Sequence, residues 1–136
     1  MTDERIRVQS RGCITDCDAA DTFRVRLFET TLHGARFNNS ATQVTVLLVQ
    51  DASEESLSGH LDFWSAAGVL LHSEPLALGP RQTLVLNTST VGALQGQAGS
   101  MTISHDGRYG ALVGKAVAVE PATGFTFDTP LEARQR

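Results

Sequence analysis

Residues 58–65 read Ser-Gly-His-Leu-Asp-Phe-Trp-Ser, and this stretch decides the class of fold. Its large aliphatic and phenyl side chains, Leu61 and Phe63, alternate with His60, Asp62 and Trp64. An alternation with a period of two is typical of a β-strand that buries one face, whereas a helix would need apolar residues three and four positions apart. The stretch therefore predicts a half-buried strand.

The same alternation recurs along most of the chain. The predicted strands are residues 22–28, 41–50, 58–65, 69–76, 82–87, 99–105, 111–119 and 125–128. Glycine and proline turns separate them, and Asp106-Gly107 is the strongest hairpin signal. Residues 88–99 carry three glycines and predict one short turn near 91–94. These patterns predict an all-β, antiparallel two-sheet sandwich of about seven or eight strands, with a partly closed barrel as the alternative.

Composition limits the kind of protein. The 136 residues are 41% hydrophobic and 19% charged, which suits one domain with its own core. No apolar run approaches the length of a membrane span, and a net charge of −4 argues against a nucleic-acid partner. The first five residues are charged and lack an apolar stretch behind them, so we read no signal peptide there. The chain is then cytoplasmic, or its leader has been removed.

The first twenty residues differ from the rest. Residues 1–20 are polar and predict an extended arm, while residues 21–136 form the sandwich domain. Within the arm, Arg5-Ile6-Arg7-Val8 alternates, so Ile6 and Val8 could add as a strand to the open edge of another copy. A homo-oligomer built in this way is one expectation.

Two cysteines, Cys13 and Cys17, lie in the arm. A zinc site would need a second cluster of ligands, which the sequence lacks. A short-range disulfide is expected in an oxidising compartment, and two free thiols are the alternative.

The segment that follows is acidic. Asp16, Asp18 and Asp21 could supply several oxygen ligands to calcium, the only cofactor that the sequence suggests. The segment lacks the glycine and the distal glutamate of an EF-hand, so a solvated acidic loop is the alternative.

The polar face of the strand at 58–65 is a candidate ligand site. His60, Asp62 and Trp64 share that face, and an exposed indole could stack on a sugar ring; the alternative, which we favour, is that Trp64 belongs to the core. His72 on the neighbouring strand could complete a metal-binding patch, although a wet sheet face is the simpler interpretation. The consecutive Ser104-His105-Asp106 does not predict catalysis, because adjacent strand residues point in different directions.

Residues 37–131 resemble bacterial extracellular immunoglobulin-like accessory domains. The residues that carry the resemblance are Phe37-Asn38-Asn39-Ser40 before Val44-Thr45-Val46, Gly68-Val69-Leu70-Leu71, Leu78-Gly79-Pro80 before Thr83-Leu84-Val85-Leu86-Asn87, and Gly99-Ser100-Met101-Thr102-Ile103. The resemblance implies an immunoglobulin-like sandwich in an extracellular or cell-surface protein, without catalysis. It is a likeness of fold and transfers no functional residue.

These observations predict a non-enzymatic structural or adhesive module that acts through protein–protein contacts. The alternative is a carbohydrate- or calcium-dependent binding module of a larger secreted protein. An enzyme is the least expected, because no catalytic group of residues stands out.

Overall fold

A computed structural model describes residues 30–133 of the chain. It contains eight β-strands and two 3-10 turns. The strands are β1 Leu32–Asn38, β2 Val44–Asp51, β3 Leu57–Ser65, β4 Leu70–Leu78, β5 Thr83–Asn87, β6 Ala98–His105, β7 Leu112–Glu120 and β8 Phe125–Ala133, and the turns are Thr88–Thr90 and Gly92–Leu94.

The eight strands form one antiparallel sheet rather than two. Their order is β4-β3-β6-β1-β8-β7-β2-β5, and the sheet curls into a nearly closed barrel. Pairing between β1 and β8, such as Leu32 opposite Ala133, joins the two halves that would otherwise be separate layers. The predicted two-sheet, immunoglobulin-like sandwich is therefore wrong, and the partly closed barrel is the architecture.

The strands themselves follow the alternation of the sequence. Seven predicted strands, from 41–50 onward, appear close to their expected positions, although β8 continues to Ala133. Strand β1 was not predicted, because Gly34 and a break of register between Gly34 and Phe37 interrupt its pattern. The predicted strand at 22–28 and the boundary between residues 20 and 21 lie outside the described residues.

The core fills the barrel as the alternation predicts. Leu61, Phe63, Met101 and Ile103 all point inward and are at most 2% exposed. The rings of Phe37 and Phe63 meet edge to face, with centroids 5.3 Å apart. Because β3 and β6 are paired neighbours, their inward residues form one contiguous apolar layer.

Two of the expected hairpins are present, and one is not. Gly68 and Gly124 have positive φ values of 76° and 71° in the turns that connect β3 to β4 and β7 to β8. Asp106-Gly107 does not close a hairpin, because β6 and β7 are not neighbours in the sheet. Asp106 instead pairs with β3: its backbone N–H donates to Ser58 O at 3.0 Å, and its carboxylate accepts from Ser58 N at 2.7 Å.

A polar network closes one end of the barrel. The side chain of Asn39 accepts hydrogen bonds from Thr45 N and Thr88 Oγ1, and donates one to Leu94 O. Thr88 and Leu94 belong to the two 3-10 turns, so the network holds these turns over the barrel end. The short turn expected near 91–94 is thereby confirmed at Gly92–Leu94.

Candidate functional site

The outer side of β3 carries the predicted ligand-binding residues together. His60, Asp62 and Trp64 alternate with buried residues and face outward; His60 is exposed, and the other two are half-buried. The indole Nε1 of Trp64 donates to Thr102 Oγ1 at 3.0 Å, and Asp62 Oδ1 accepts from Ser73 Oγ at 2.6 Å. The expectation that Trp64 belongs to the core is wrong, because the side chain lies on the outer face.

His72 does not join this face. It is paired with Phe63, which points into the barrel, and the two rings lie 6.4 Å apart. Its Nε2 faces Glu74 Oε2 at 3.8 Å, also on the inward side of β4. The hypothetical metal patch of His60, Asp62 and His72 is therefore not formed, since His72 is on the opposite face of the sheet.

Several predicted sites fall outside the described residues. They are the arm positions Ile6 and Val8, the cysteines Cys13 and Cys17, and the calcium candidates Asp16, Asp18 and Asp21. Within residues 30–133, no group of three or more histidine, cysteine, aspartate or glutamate side chains is placed to hold a metal ion.

The other end of the barrel contains a buried histidine beside a buried carboxylate. His105 and Asp51 are 8% and 0% exposed. His105 Nδ1 and Asp51 Oδ2 make no hydrogen bond with any described residue, while Asp51 Oδ1 accepts from Ser53 N and Ser53 Oγ at 2.8 and 2.7 Å. Burial lowers the pKa of His105 below its ordinary value of 6.5, and the carboxylates of Asp106 and Asp51 oppose that shift only partly. The imidazole is therefore neutral at pH 7.

The consecutive Ser104-His105-Asp106 does not come together at this end. Ser104 precedes His105 on β6, but its side chain is exposed on the outer face while the imidazole points inward. A pocket of about 270 Å³ beside His105 has a mostly apolar wall that includes Leu32, Leu112 and Leu131. The described residues thus place no hydroxyl nucleophile from this triplet next to the neutral imidazole.

The strands β5, β2 and β7 carry apolar side chains on their outer side as well as on their inner side. Residues on the inner side of β2, such as Leu47 and Val49, are at most 1% exposed. Most outward residues of the three strands are also aliphatic, and register places them side by side; Gln50, Thr83, Asn87 and Lys115 are the polar residues on this side. We call this set the aliphatic face: Val44, Val46, Leu48, Val85, Val113, Val117 and Val119.

Polar residues surround the aliphatic face. Val46 and Val117 are directly opposite each other near its middle, and Val85 is 61% exposed on β5. Lys115 lies within the face opposite Leu48, and its Nζ reaches Asp128 Oδ2 on the neighbouring strand β8 at 2.6 Å. An apolar centre with a polar rim is the typical composition of a protein–protein contact surface.

Sequence reasoning did not identify this surface. The signal was present, because residues 111–119 are small and apolar at nearly every position, and residues 44–49 are aliphatic or β-branched throughout. Such a pattern predicts a strand buried on both faces, and it does not tell which face contacts the barrel interior.

Helical structure among residues 30–133 is limited to two turns of three residues, so no helix there has the length of a membrane span.

Comparison with known proteins bears on the fold. No family model matches the chain, and no curated protein matches it. The chain is similar to a solved structure described as Thermotoga maritima 1070, with a TM-score of 0.66 and 10% sequence identity. The similarity covers 79% of this chain and 96% of that one. At this identity the likeness shows that the two chains share a fold, and it shows nothing further.

Proposed function

We propose that the chain is a non-enzymatic structural module that acts through protein–protein contacts, with the aliphatic face as its contact surface. The observation that carries this proposal is the row of outward aliphatic side chains on three neighbouring strands. Water contacts these side chains unless another surface covers them, and covering them is favourable by about 25 cal/mol per Å².

The occupant that we propose for the aliphatic face is the same face of a second copy. Apolar faces of two twisted sheets can pack against each other about 10 Å apart. The one charged side chain within the face, Lys115, is neutralised by Asp128 on β8, so a twofold arrangement does not bring two unpaired ammonium groups together.

The area of the face predicts a weak dimer. Three strands at about 4.8 Å spacing and six residue steps of about 3.3 Å give roughly 300 Å² for each copy. The total of roughly 600 Å² is below the standard size of stable complexes, so we expect a reversible dimer with a dissociation constant of about 10 μM or weaker.

Two matched substitutions test the proposal. Val85 and Val69 are both 61% exposed, but Val69 lies in the turn between β3 and β4, away from the aliphatic face. Sedimentation velocity of the full chain over a wide concentration range should show that Val85→Lys weakens the dimer at least tenfold, while Val69→Lys leaves it unchanged. A wild-type chain that stays monomeric at several hundred micromolar, or an equal effect of both variants, would refute the proposal.

The alternative function, a carbohydrate-binding module, is supported by the shared outer face of His60, Asp62 and Trp64. Trp64 is the one tryptophan of the chain, so its fluorescence reports that face directly. A change in this fluorescence on titration with a panel of oligosaccharides, lost in His60→Ala, would favour the alternative over self-association. We also propose that the chain is located outside the cell or at the cell surface. Fractionation of the producing cells tests this location.

A further inference from the structure

The sheet opens between β1 and β8. The two strands are paired only where Leu32–Gly34 face Leu131–Ala133. Beyond that point β1 changes register at its bulge and pairs with β6, while β8 continues along β7. Among the described residues, positions 125–129 of β8 therefore have a hydrogen-bonded neighbour on one side only. We call this opening the β1–β8 seam; it is bounded by residues 125–129 and 35–38.

Two phenylalanine side chains line the seam. Phe127 and Phe125 are paired with Ala118 and Glu120 of β7, so they share the inward side of the sheet with Ala118, which is 7% exposed. Yet Phe125 and Phe127 are themselves 67% and 53% exposed. Two large rings on the inward side of a strand with a free edge are what an added strand would cover.

The seam also specifies the chemistry of such a strand. Its inward side chains would meet the two phenyl rings and must be apolar. Its outward side chains would lie beside Thr126 and Asp128 on the outer side of β8 and must be polar; basic residues there would share the Asp128 carboxylate with Lys115. A segment that alternates apolar and basic residues fits both requirements.

One segment of this chain has that alternation over five positions. Residues 23–27 read Phe-Arg-Val-Arg-Leu, with Phe23, Val25 and Leu27 on one side and two arginines on the other. The described part of the chain begins just after this segment, at Thr30.

The segment of the same copy is too short to cover the seam. Thr30 Oγ1 donates to His105 O, which places Thr30 at the barrel end opposite to Phe125. Phe127 lies six residues along β8 from Ala133, the partner of Leu32, so it is roughly 25 Å from the level of Thr30. Leu27 is three residues from Thr30 and reaches about 10 Å at most, and Phe23 reaches about 24 Å, so residues 23–27 of the same copy cannot all lie along positions 125–129. The same segment of a second copy is not restricted in this way, because it is not tethered to Thr30 of the first copy.

We propose that the β1–β8 seam of one copy receives residues 23–27 of a second copy as an added strand. The contact uses a different surface from the aliphatic face and does not depend on it. Because every chain carries one donor segment and one seam, the exchange is either reciprocal within a dimer or extends from copy to copy.

The experiment uses full-length chains that all carry Val85→Lys, so that the aliphatic face does not contribute. Phe127→Ser damages the seam and leaves the donor segment intact, whereas Val25→Asp does the reverse. Each variant alone should sediment as a monomer. Their equimolar mixture should restore one contact and form a one-to-one dimer. Leu70→Ser, at a site that is 48% exposed on β4, is the control for loss of an exposed apolar side chain and should not change the association.

Three results would overturn the proposal. Association that persists in both single variants would show that the seam and the segment are not the contact. A mixture that stays monomeric would show that no exchange between copies occurs. A loss of association in Ile6→Asp but not in Val25→Asp would identify the arm around Ile6 as the donor. The effect of Val85→Lys alone tests the aliphatic face separately, so the two proposals can fail independently.

Discussion

Asn39→Ala should be one of the most destabilising single substitutions of a polar residue in the described chain. Asn39 is 6% exposed, and its side chain makes hydrogen bonds of 3.1 Å with Thr45 N, 2.8 Å with Thr88 Oγ1 and 3.1 Å with Leu94 O. The Thr88 hydroxyl keeps an acceptor after the substitution, because Thr45 O lies 2.8 Å away. The Thr45 N–H loses its partner, whereas the Leu94 carbonyl still accepts from Gln97 N at 3.2 Å.

The magnitude follows from this one buried group. A buried polar group without a partner costs about 1–3 kcal/mol, so we expect a loss of about 1–3 kcal/mol in the free energy of unfolding. With a urea m-value of about 2 kcal/mol/M, the midpoint should fall by roughly 0.5–1.5 M.

Urea unfolding measures this loss through the fluorescence of Trp64, at a protein concentration low enough to keep the chain monomeric. Asn87→Ala is the matched control. Asn87 is exposed, and its side chain caps the first 3-10 turn by accepting from Ser89 N at 3.0 Å, so its loss should cost about 1 kcal/mol or less. If both substitutions lower the free energy of unfolding by the same amount, the reasoning about the buried network is refuted.

Two further predictions concern stability. Burial lowers the pKa of His105 in the folded chain, so the unfolded chain takes up a proton at this position first as the pH falls. The contribution of His105 to the free energy of unfolding should therefore be present above about pH 6.5. It should be lost as the pH falls from 6.5 through the lowered pKa. The difference in unfolding free energy between wild type and His105→Gln, measured from pH 8 to 5, should therefore change with pH, and a constant difference would contradict the prediction. Gly59→Ala should lower the free energy of unfolding by about 3 kcal/mol or more, since a Cβ there would lie 1.9 Å from Ser104 O on the paired strand. Gly92→Ala, with no atom within 4 Å of the added carbon, should change it by less than about 0.5 kcal/mol, and thermal unfolding compares the two.

The candidate surfaces were only partly visible in the sequence. The alternation around Leu61 placed His60, Asp62 and Trp64 correctly on one face, because a period of two assigns every second side chain to the same side. It could not show that His72 faces inward, since that depends on the register between β3 and β4. The exposure of Phe125 and Phe127 was not predictable either, because it results from the separation of β1 and β8.

Local physical chemistry therefore determined the strands, their buried faces around Leu61 and Ile103, and the tight turns at Gly68 and Gly124. Only the tertiary structure decided how the strands join. The alternation indicates which side of a strand is buried, but it does not indicate which strands pair with it. The pairing of Leu32 with Ala133, residues far apart in the chain, converts two expected layers into one nearly closed barrel. The aliphatic face lies on the outer side of this barrel, and the pairing ends before Phe125 and Phe127, which leaves both rings exposed.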